Sequence, residues 1–107
     1  HPSFDIRHYE TVIDGMVSAV RDRGGTASRS SYRLSEFDLA VKTGTAQIPG
    51  TQSYNAWLIG FSPVVDPQIA FAISAQGVPL HGGEACAPML ADILQWLEQH
   101  RGLELRR

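Results

Sequence analysis

The chain has 107 residues, of which 43% are hydrophobic and 19% are charged, so it has the balance of one small globular domain. The formal net charge of −2 offers no basic field, which argues against a nucleic-acid partner. One cysteine excludes an internal disulfide, and no Cys/His cluster has zinc spacing, so no metal site is predicted. No apolar run approaches the roughly 18 residues of a membrane span.

The first predicted element is a helix from about residue 8 to residue 23. Its apolar residues recur at helical spacing, and they are Tyr9, Val12, Ile13, Met16, Val17 and Val20. Gly24 and Gly25 follow and should end the helix. Residues 26–36 are polar and rich in serine, which indicates a surface loop.

Three segments then predict β-strands with short connections. Residues 38–46 begin with alternating apolar and polar side chains, as a half-buried strand does. Residues 54–63 are apolar on both parities, which favours a strand covered on both faces. Residues 68–76 place large side chains on one face and small ones on the other. Because short connections imply antiparallel pairing, we expect one sheet with residues 54–63 in its centre.

A last helix is predicted from about residue 84 to residue 100, with Pro88 near its first turn, where proline is tolerated. Its apolar residues at helical spacing are Met89, Leu90, Ile93, Leu94 and Leu97. The fold class is therefore α+β, a three-stranded antiparallel sheet with an N-terminal and a C-terminal helix.

Other conspicuous side chains are assigned structural roles. Cys86 should pack as a small hydrophobe. Core packing is expected for four aromatic residues, which are Trp57, Phe61, Phe71 and Trp96. A solvated tail is expected for the terminal arginines Arg101, Arg106 and Arg107.

The strongest local signal is Lys42-Thr43-Gly44-Thr45, at the end of the first predicted strand. Lys42 is the only lysine among nine basic residues. Glycine weakens a strand, so it often marks a place where another group approaches the backbone closely. The local pattern leaves two interpretations open: a ligand-binding strand, or a frayed strand end with a solvated lysine.

The order of several segments resembles the penicillin-binding protein transpeptidases. The Lys-Thr-Gly box is a motif of that fold and stands here within residues 41–47 (VKTGTAQ). Residues 24–27 (GGTA) are similar to the turn before the motif strand, and residues 55–63 (NAWLIGFSP) to the next strand. Gly82-Gly83 and the helix after it are similar to the family's C-terminus. Ala46 favours the monofunctional, class B-like proteins of division or elongation.

The resemblance implies a three-part active site of the serine β-lactamase and penicillin-binding transpeptidase fold. A Ser-x-x-Lys supplies the nucleophile and its base, a Ser-x-Asn assists proton movement, and Lys-Thr-Gly lines the opposite wall. Lys42 would contribute charge to that site, and the Thr45 N–H would be one of two oxyanion donors. The hydroxyls of Thr43 and Thr45 would bind the carboxylate of a D-Ala-D-Ala stem peptide or a β-lactam. Gly44 would leave the strand edge open to an extended substrate.

The acylation motif is absent from this chain. A Ser-x-x-Lys needs serine three positions before a lysine, and Leu39 stands there. Ser53-Tyr54-Asn55 has the form of Ser-x-Asn, but it follows Lys-Thr-Gly instead of preceding it, so we interpret it as structural. We therefore expect residues 1–107 to be a single, incomplete domain, the C-terminal portion of a transpeptidase domain, and to be catalytically inert alone.

The resemblance implies a parent protein that is a serine-type D,D-transpeptidase and cross-links peptidoglycan without a cofactor. The parent would bind stem peptides and β-lactams at the periplasmic face of the cytoplasmic membrane, where an N-terminal helix would anchor it. The remainder of the domain or a second copy would cover the sheet. Two alternatives remain open: a serine β-lactamase or β-lactam sensor, and a non-catalytic module that binds peptides along the motif edge.

Overall fold

The order of elements in the computed structural model is helix, three strands, helix, as the sequence predicts. The structure describes residues 6–21, 32–79 and 82–106. The elements with their bounds are α1 (Ile6–Arg21), a 3₁₀ helix (Tyr32–Glu36), β1 (Ala40–Gln47), β2 (Tyr54–Ser62), β3 (Ile69–Val78) and α2 (Gly82–Arg101). Neither α1 nor α2 has the length and hydropathy that a membrane span requires.

The three strands form one antiparallel sheet in the order β1-β2-β3, so the prediction of a central β2 is confirmed. Thr43 of β1 lies opposite Leu58, and Leu58 lies opposite Ile73. Lys42 lies opposite Ile59 in the same way. Because directly opposite residues of antiparallel strands share a face, this register sorts the side chains of the sheet into two sets.

One set, which contains Val41, Thr43, Leu58 and Ile73, is called here the helix-covered face. Helix α2 packs on it, and together they form the core. The fully buried side chains of this core include Leu34, Val41, Leu58, Cys86, Leu90, Leu94 and Leu105. The large side chains of β3 point towards this core and the small ones away from it, as expected.

The other set, which contains Lys42, Gly44, Trp57 and Ile59, is called here the open face. Trp57 is 40% exposed and Ile59 is 46% exposed. Within the described part of the chain β2 is therefore covered on one face only, and cover of its other face is expected from the remainder of the domain or a second copy. The physical reason is that α2 covers the opposite face, whereas α1 lies only at one end, where it lines a groove with Phe61.

The described helix α1, Ile6–Arg21, includes residues 8–21 of the predicted helix, whereas residues 22 and 23 lie outside the described residues. Of its apolar stripe, Val20 is fully buried, whereas Tyr9 and Val12 are exposed. The helix contacts β1 and the 3₁₀ helix, so only its C-terminal end reaches the core. The predicted loop at residues 26–36 lies partly outside the described residues.

Two polar segments proved to be structured. Residues Tyr32–Glu36 form the 3₁₀ helix and bury Leu34 completely, so the loop interpretation is wrong there. Near the C-terminus, Arg106 forms ion pairs with Glu98 and Glu36 and lies 4.6 Å from the Phe37 ring. These hydrogen bonds, first to Glu98 and then to Glu36, raise the pKa of Arg106 above its ordinary value. Arg106 is therefore an anchored residue and not part of a solvated tail.

Helix α2 contains Pro88 in its interior and not near its first turn, because the helix already begins at Gly82. Its buried stripe includes Leu90 and Leu94, as predicted, but Met89 and Ile93 are exposed. Core packing was also predicted for aromatic side chains that the structure leaves partly open. Besides Trp57, these include Trp96, which is 47% exposed.

Candidate functional site

The Lys-Thr-Gly motif lies inside β1, which continues to Gln47. The strand therefore continues beyond the motif, and the motif does not lie at a frayed strand end. Strand β2 pairs with one edge of β1, and no strand of the described residues pairs with the other edge. The motif thus lies on an edge strand, where an extended ligand can approach the main chain.

The motif divides its side chains between the two faces of the sheet. Thr43 and Thr45 belong to the helix-covered face, opposite Leu58 and Ala56. Thr43 is only 9% exposed, whereas Thr45 is exposed and is therefore the more accessible of the two hydroxyl groups. Lys42 belongs to the open face. The charge and the hydroxyl groups can meet only at the edge of β1, because the edge is common to both faces.

The Lys42 side chain is exposed but not unconstrained. Its Nζ donates a hydrogen bond to the carbonyl oxygen of Thr43, at 2.6 Å. The same Nζ lies 6.0 Å from the centroid of the Trp57 ring. The ammonium group is thus held close to the motif backbone, on the side of the open face.

Gly44 lies directly opposite Trp57. A Cβ added at Gly44 would overlap the indole of Trp57, so the ring occupies the space that any side chain at this position needs. The family resemblance implies that this glycine leaves the strand edge open to a substrate. The structure adds a reason within the fold, because Gly44 makes room for a tryptophan of the neighbouring strand.

The start of β1 is tied to two other segments. The N–H of Asp38 donates to the Leu105 carbonyl oxygen, at 2.7 Å. The Asp38 carbonyl oxygen accepts from Ser62 Oγ, at 2.6 Å. Its carboxylate also accepts from the N–H of Val64, at 3.4 Å. These bonds fix the motif strand against the C-terminal segment and the end of β2.

The turn after β1 is also hydrogen-bonded. The N–H of Ile48 donates to the Ser53 carbonyl oxygen, at 2.9 Å, and Thr51 Oγ1 donates to the Ile48 carbonyl oxygen, at 2.8 Å. Asn55 Oδ1 accepts from the N–H of Gly77, at 3.2 Å, near the end of β3. Ser53 and Asn55 therefore have contacts that fit the structural interpretation of Ser53-Tyr54-Asn55. Both ends of the motif strand are anchored, which suits a site that must hold its shape.

The described residues offer little else for chemistry. Cys86 is buried in the core, and this burial raises the pKa of its thiol, so the thiol stays protonated and unreactive at neutral pH. No group of three or more His, Cys, Asp or Glu in the described ranges could hold a metal ion. The site is thus a strand edge with a cation, a hydroxyl and main-chain groups, which can bind an anionic, extended ligand.

Sequence reasoning missed the role of Trp57, which it assigned to the core. The signal was present, because a hairpin that pairs residue 46 with residue 55 brings residue 44 opposite residue 57. A lone glycine opposite a large aromatic residue indicates that the ring lies over the glycine. That signal depends on the exact register of β1 and β2, which residue patterns alone do not specify.

Comparisons with known proteins agree with this geometry. Residues 2–95 match the family model described as the penicillin binding protein transpeptidase domain. The chain is similar to Pseudomonas aeruginosa PBP2, solved in complex with WCK 5153, with 29% identity and a TM-score of 0.73 over 99% of this chain and 22% of that one. It is also similar to PBP2 from Helicobacter pylori, with 29% identity and a TM-score of 0.72 over 96% of this chain and 18% of that one. A search of curated proteins gave no match.

The chain spans about a fifth of the length of these two proteins. The family model nevertheless covers most of the chain, including the motif strand, the rest of the sheet and most of α2. The order of elements and the antiparallel sheet also match those structures. The chain therefore belongs to the penicillin-binding protein transpeptidase domain family.

Proposed function

We propose that this chain provides the Lys-Thr-Gly wall of the active site of a serine-type D,D-transpeptidase, which cross-links peptidoglycan stem peptides. The observation that carries this proposal is the position of Lys42 and Thr45 on an anchored edge strand. The match to the transpeptidase family model supports this function over that of a β-lactamase or a β-lactam sensor. The same match supports the transpeptidase function over that of a non-catalytic peptide-binding module.

Each motif residue has a role that its chemistry suits. The ammonium group of Lys42 adds positive charge beside the reacting groups, and the Thr45 N–H donates to the oxyanion. The hydroxyls of Thr43 and Thr45 bind the ligand carboxylate. Because β1 is an edge strand, an extended stem peptide can lie along it as an added strand, and Gly44 leaves room for the Trp57 indole beside the motif.

The nucleophile belongs to the rest of the parent protein. A serine hydroxyl attacks the carbonyl carbon of the penultimate D-alanine, and its proton passes to the base of Ser-x-x-Lys. The terminal D-alanine leaves with a proton on its nitrogen, and an ester remains. The amine of a neighbouring stem peptide attacks that ester, which forms the cross-link and returns a proton to the serine. A β-lactam acylates the same serine.

The parent would act at the periplasmic face of the cytoplasmic membrane, where stem peptides are found, and would be anchored there by a helix outside this chain. The remainder of the transpeptidase domain would cover the open face. A second copy of the chain is the other candidate for that cover, because Trp57 and Ile59 expose apolar surface on this face.

The test is the rate at which a labelled penicillin acylates the full-length protein. Lys42→Ala should lower this rate by about tenfold or more, which corresponds to about 1.4 kcal/mol. Arg33→Ala is the matched control, because it removes another exposed cation, which pairs with Asp92 of α2 and lies outside the motif. Acylation of the Lys42 variant at the parental rate would show that Lys42 is structural.

A further inference from the structure

We propose that Trp57 is a positioning residue for Lys42: its indole, lodged over Gly44, limits where the Lys42 ammonium group can lie. The inference rests on the proposed function, because it gives Trp57 an effect on acylation that passes through Lys42. Trp57 lies on β2, outside the motif, and its expected role from the sequence was core packing alone.

The register of the sheet creates this arrangement. Lys42 and Gly44 are two residues apart on β1, so both side-chain positions lie on the open face. Trp57 pairs with Gly44, and its ring takes the space that a side chain at position 44 would fill. The indole therefore lies beside Lys42 and restricts the space open to its side chain. With a larger residue in place of Gly44, the ring could not occupy this position.

Lysine has a flexible four-carbon stem, so its charge has no fixed place unless other groups restrict it. Here two groups do so. The Thr43 carbonyl oxygen accepts a hydrogen bond from Nζ at 2.6 Å, and the Trp57 ring centroid lies 6.0 Å from Nζ. A distance of about 6 Å is the outer limit of a cation–π contact, so the direct attraction is weak. The main effect of the indole is to exclude alternative positions of the side chain, which preorganises the charge.

Trp57 has no comparable task in the core. It is 40% exposed and lies on the face opposite α2. Trp96 of α2 provides a matched control, because it is a tryptophan of similar exposure, 47%, on another element. Its ring stacks on that of His100, with the ring centroids 4.4 Å apart. A purely structural tryptophan on the open face would affect stability, but its effect on acylation would not depend on Lys42.

The experiment is a double-mutant cycle in the full-length protein, with the acylation rate constant and the penicillin affinity measured separately. Trp57→Leu should lower the rate constant about two- to fivefold, as expected for a contact of this strength, and should leave affinity nearly unchanged. In the Lys42→Ala background, Trp57→Leu should have no further effect, because coupled residues are not additive. Trp57→Phe should restore most of the rate, and Trp96→Leu should not change it.

The inference is overturned if the effects of the two substitutions on the acylation rate constant multiply. It is also overturned if penicillin acylates the Trp57→Leu variant at the parental rate. Lys42→Ala read by itself tests the proposed function, so the two failures are distinguishable. Thermal unfolding of each variant monitors folding. If Trp57→Leu does not fold, Trp57→Met keeps a long apolar side chain and enters the same cycle with the same expected outcomes.

Discussion

The two faces of the sheet are made from alternate residues of the same strands, yet the described chain completes only one of them. On the helix-covered face, Leu58 is fully buried under α2. On the open face, the adjacent Ile59 is 46% exposed and Trp57 stands beside Lys42. The covered face holds this segment together, while the open face carries the charge that the proposed chemistry uses. The charge of Lys42 is thus separated from the residues that stabilise the fold, whereas the hydroxyls of Thr43 and Thr45 share the helix-covered face with them.

The largest expected effect concerns the isolated chain, which has Lys42 on its open face but should show no acylation at all. In the proposed function Lys42 belongs to the wall that faces the nucleophile, and no serine lies three residues before it. An acyl-enzyme needs a hydroxyl activated by a positioned base, so a labelled penicillin should leave the mass of the chain unchanged. A stoichiometric covalent adduct would contradict this expectation and would require a nucleophile within residues 1–107.

Truncation of adjacent residues compares the two faces directly. Leu58→Ala should destabilise the isolated chain by about 2–5 kcal/mol, because it leaves a cavity under α2. Ile59→Ala, the control on the open face, should cost about 1 kcal/mol or less, as exposed substitutions do. Urea unfolding measures both. Equal costs in the isolated chain would mean that a second copy or a rearrangement already buries Ile59.

Alanine substitutions at two glycines, Gly44 and Gly15, test whether the Trp57 indole fills the space over Gly44. Gly44→Ala should destabilise the protein by about 1–3 kcal/mol, because the new methyl group overlaps the Trp57 indole. Gly15→Ala is the control: Gly15 lies in α1 with open space around it, so alanine should be neutral or stabilise the helix by up to about 1 kcal/mol. Combined with Trp57→Leu, the cost of Gly44→Ala should shrink. An unchanged cost in the double variant would show that the indole is not the obstacle.

The smallest effect concerns Cys86 on the covered side. Burial raises the pKa of its thiol in the folded protein, whereas in the unfolded chain the thiol has its ordinary pKa of 9.0. The folded state therefore holds its proton longer, and stability is complete below about pH 9 and falls as the pH rises beyond it. The slope is at most about 1.4 kcal/mol per pH unit, the limit for one proton. Urea midpoints between pH 8 and pH 10 should fall less steeply in Cys86→Ala.

Strand positions and the motif were accessible to sequence reasoning, because both depend on nearby residues. Alternation of side chains and turn residues such as Pro49-Gly50 placed the strands to within about two residues. The Lys-Thr-Gly box was visible from a few letters and a single lysine. Arg106 was not: its ion pair with Glu36 joins residues 70 positions apart in the chain. A local sequence pattern does not predict such a contact.

The sequence alone was enough to derive the two α-helices, the three strands, their order, the antiparallel pairing and the family. These follow from periodicity, from short connections and from a motif, all of which act over short stretches of chain. Two features became clear only from the packed structure: α2 covers one particular face of the sheet, and Trp57 fills the space over Gly44. The physical reason is that burial and steric exclusion depend on the register and on the placement of remote segments. A residue's own neighbours in the chain do not specify either.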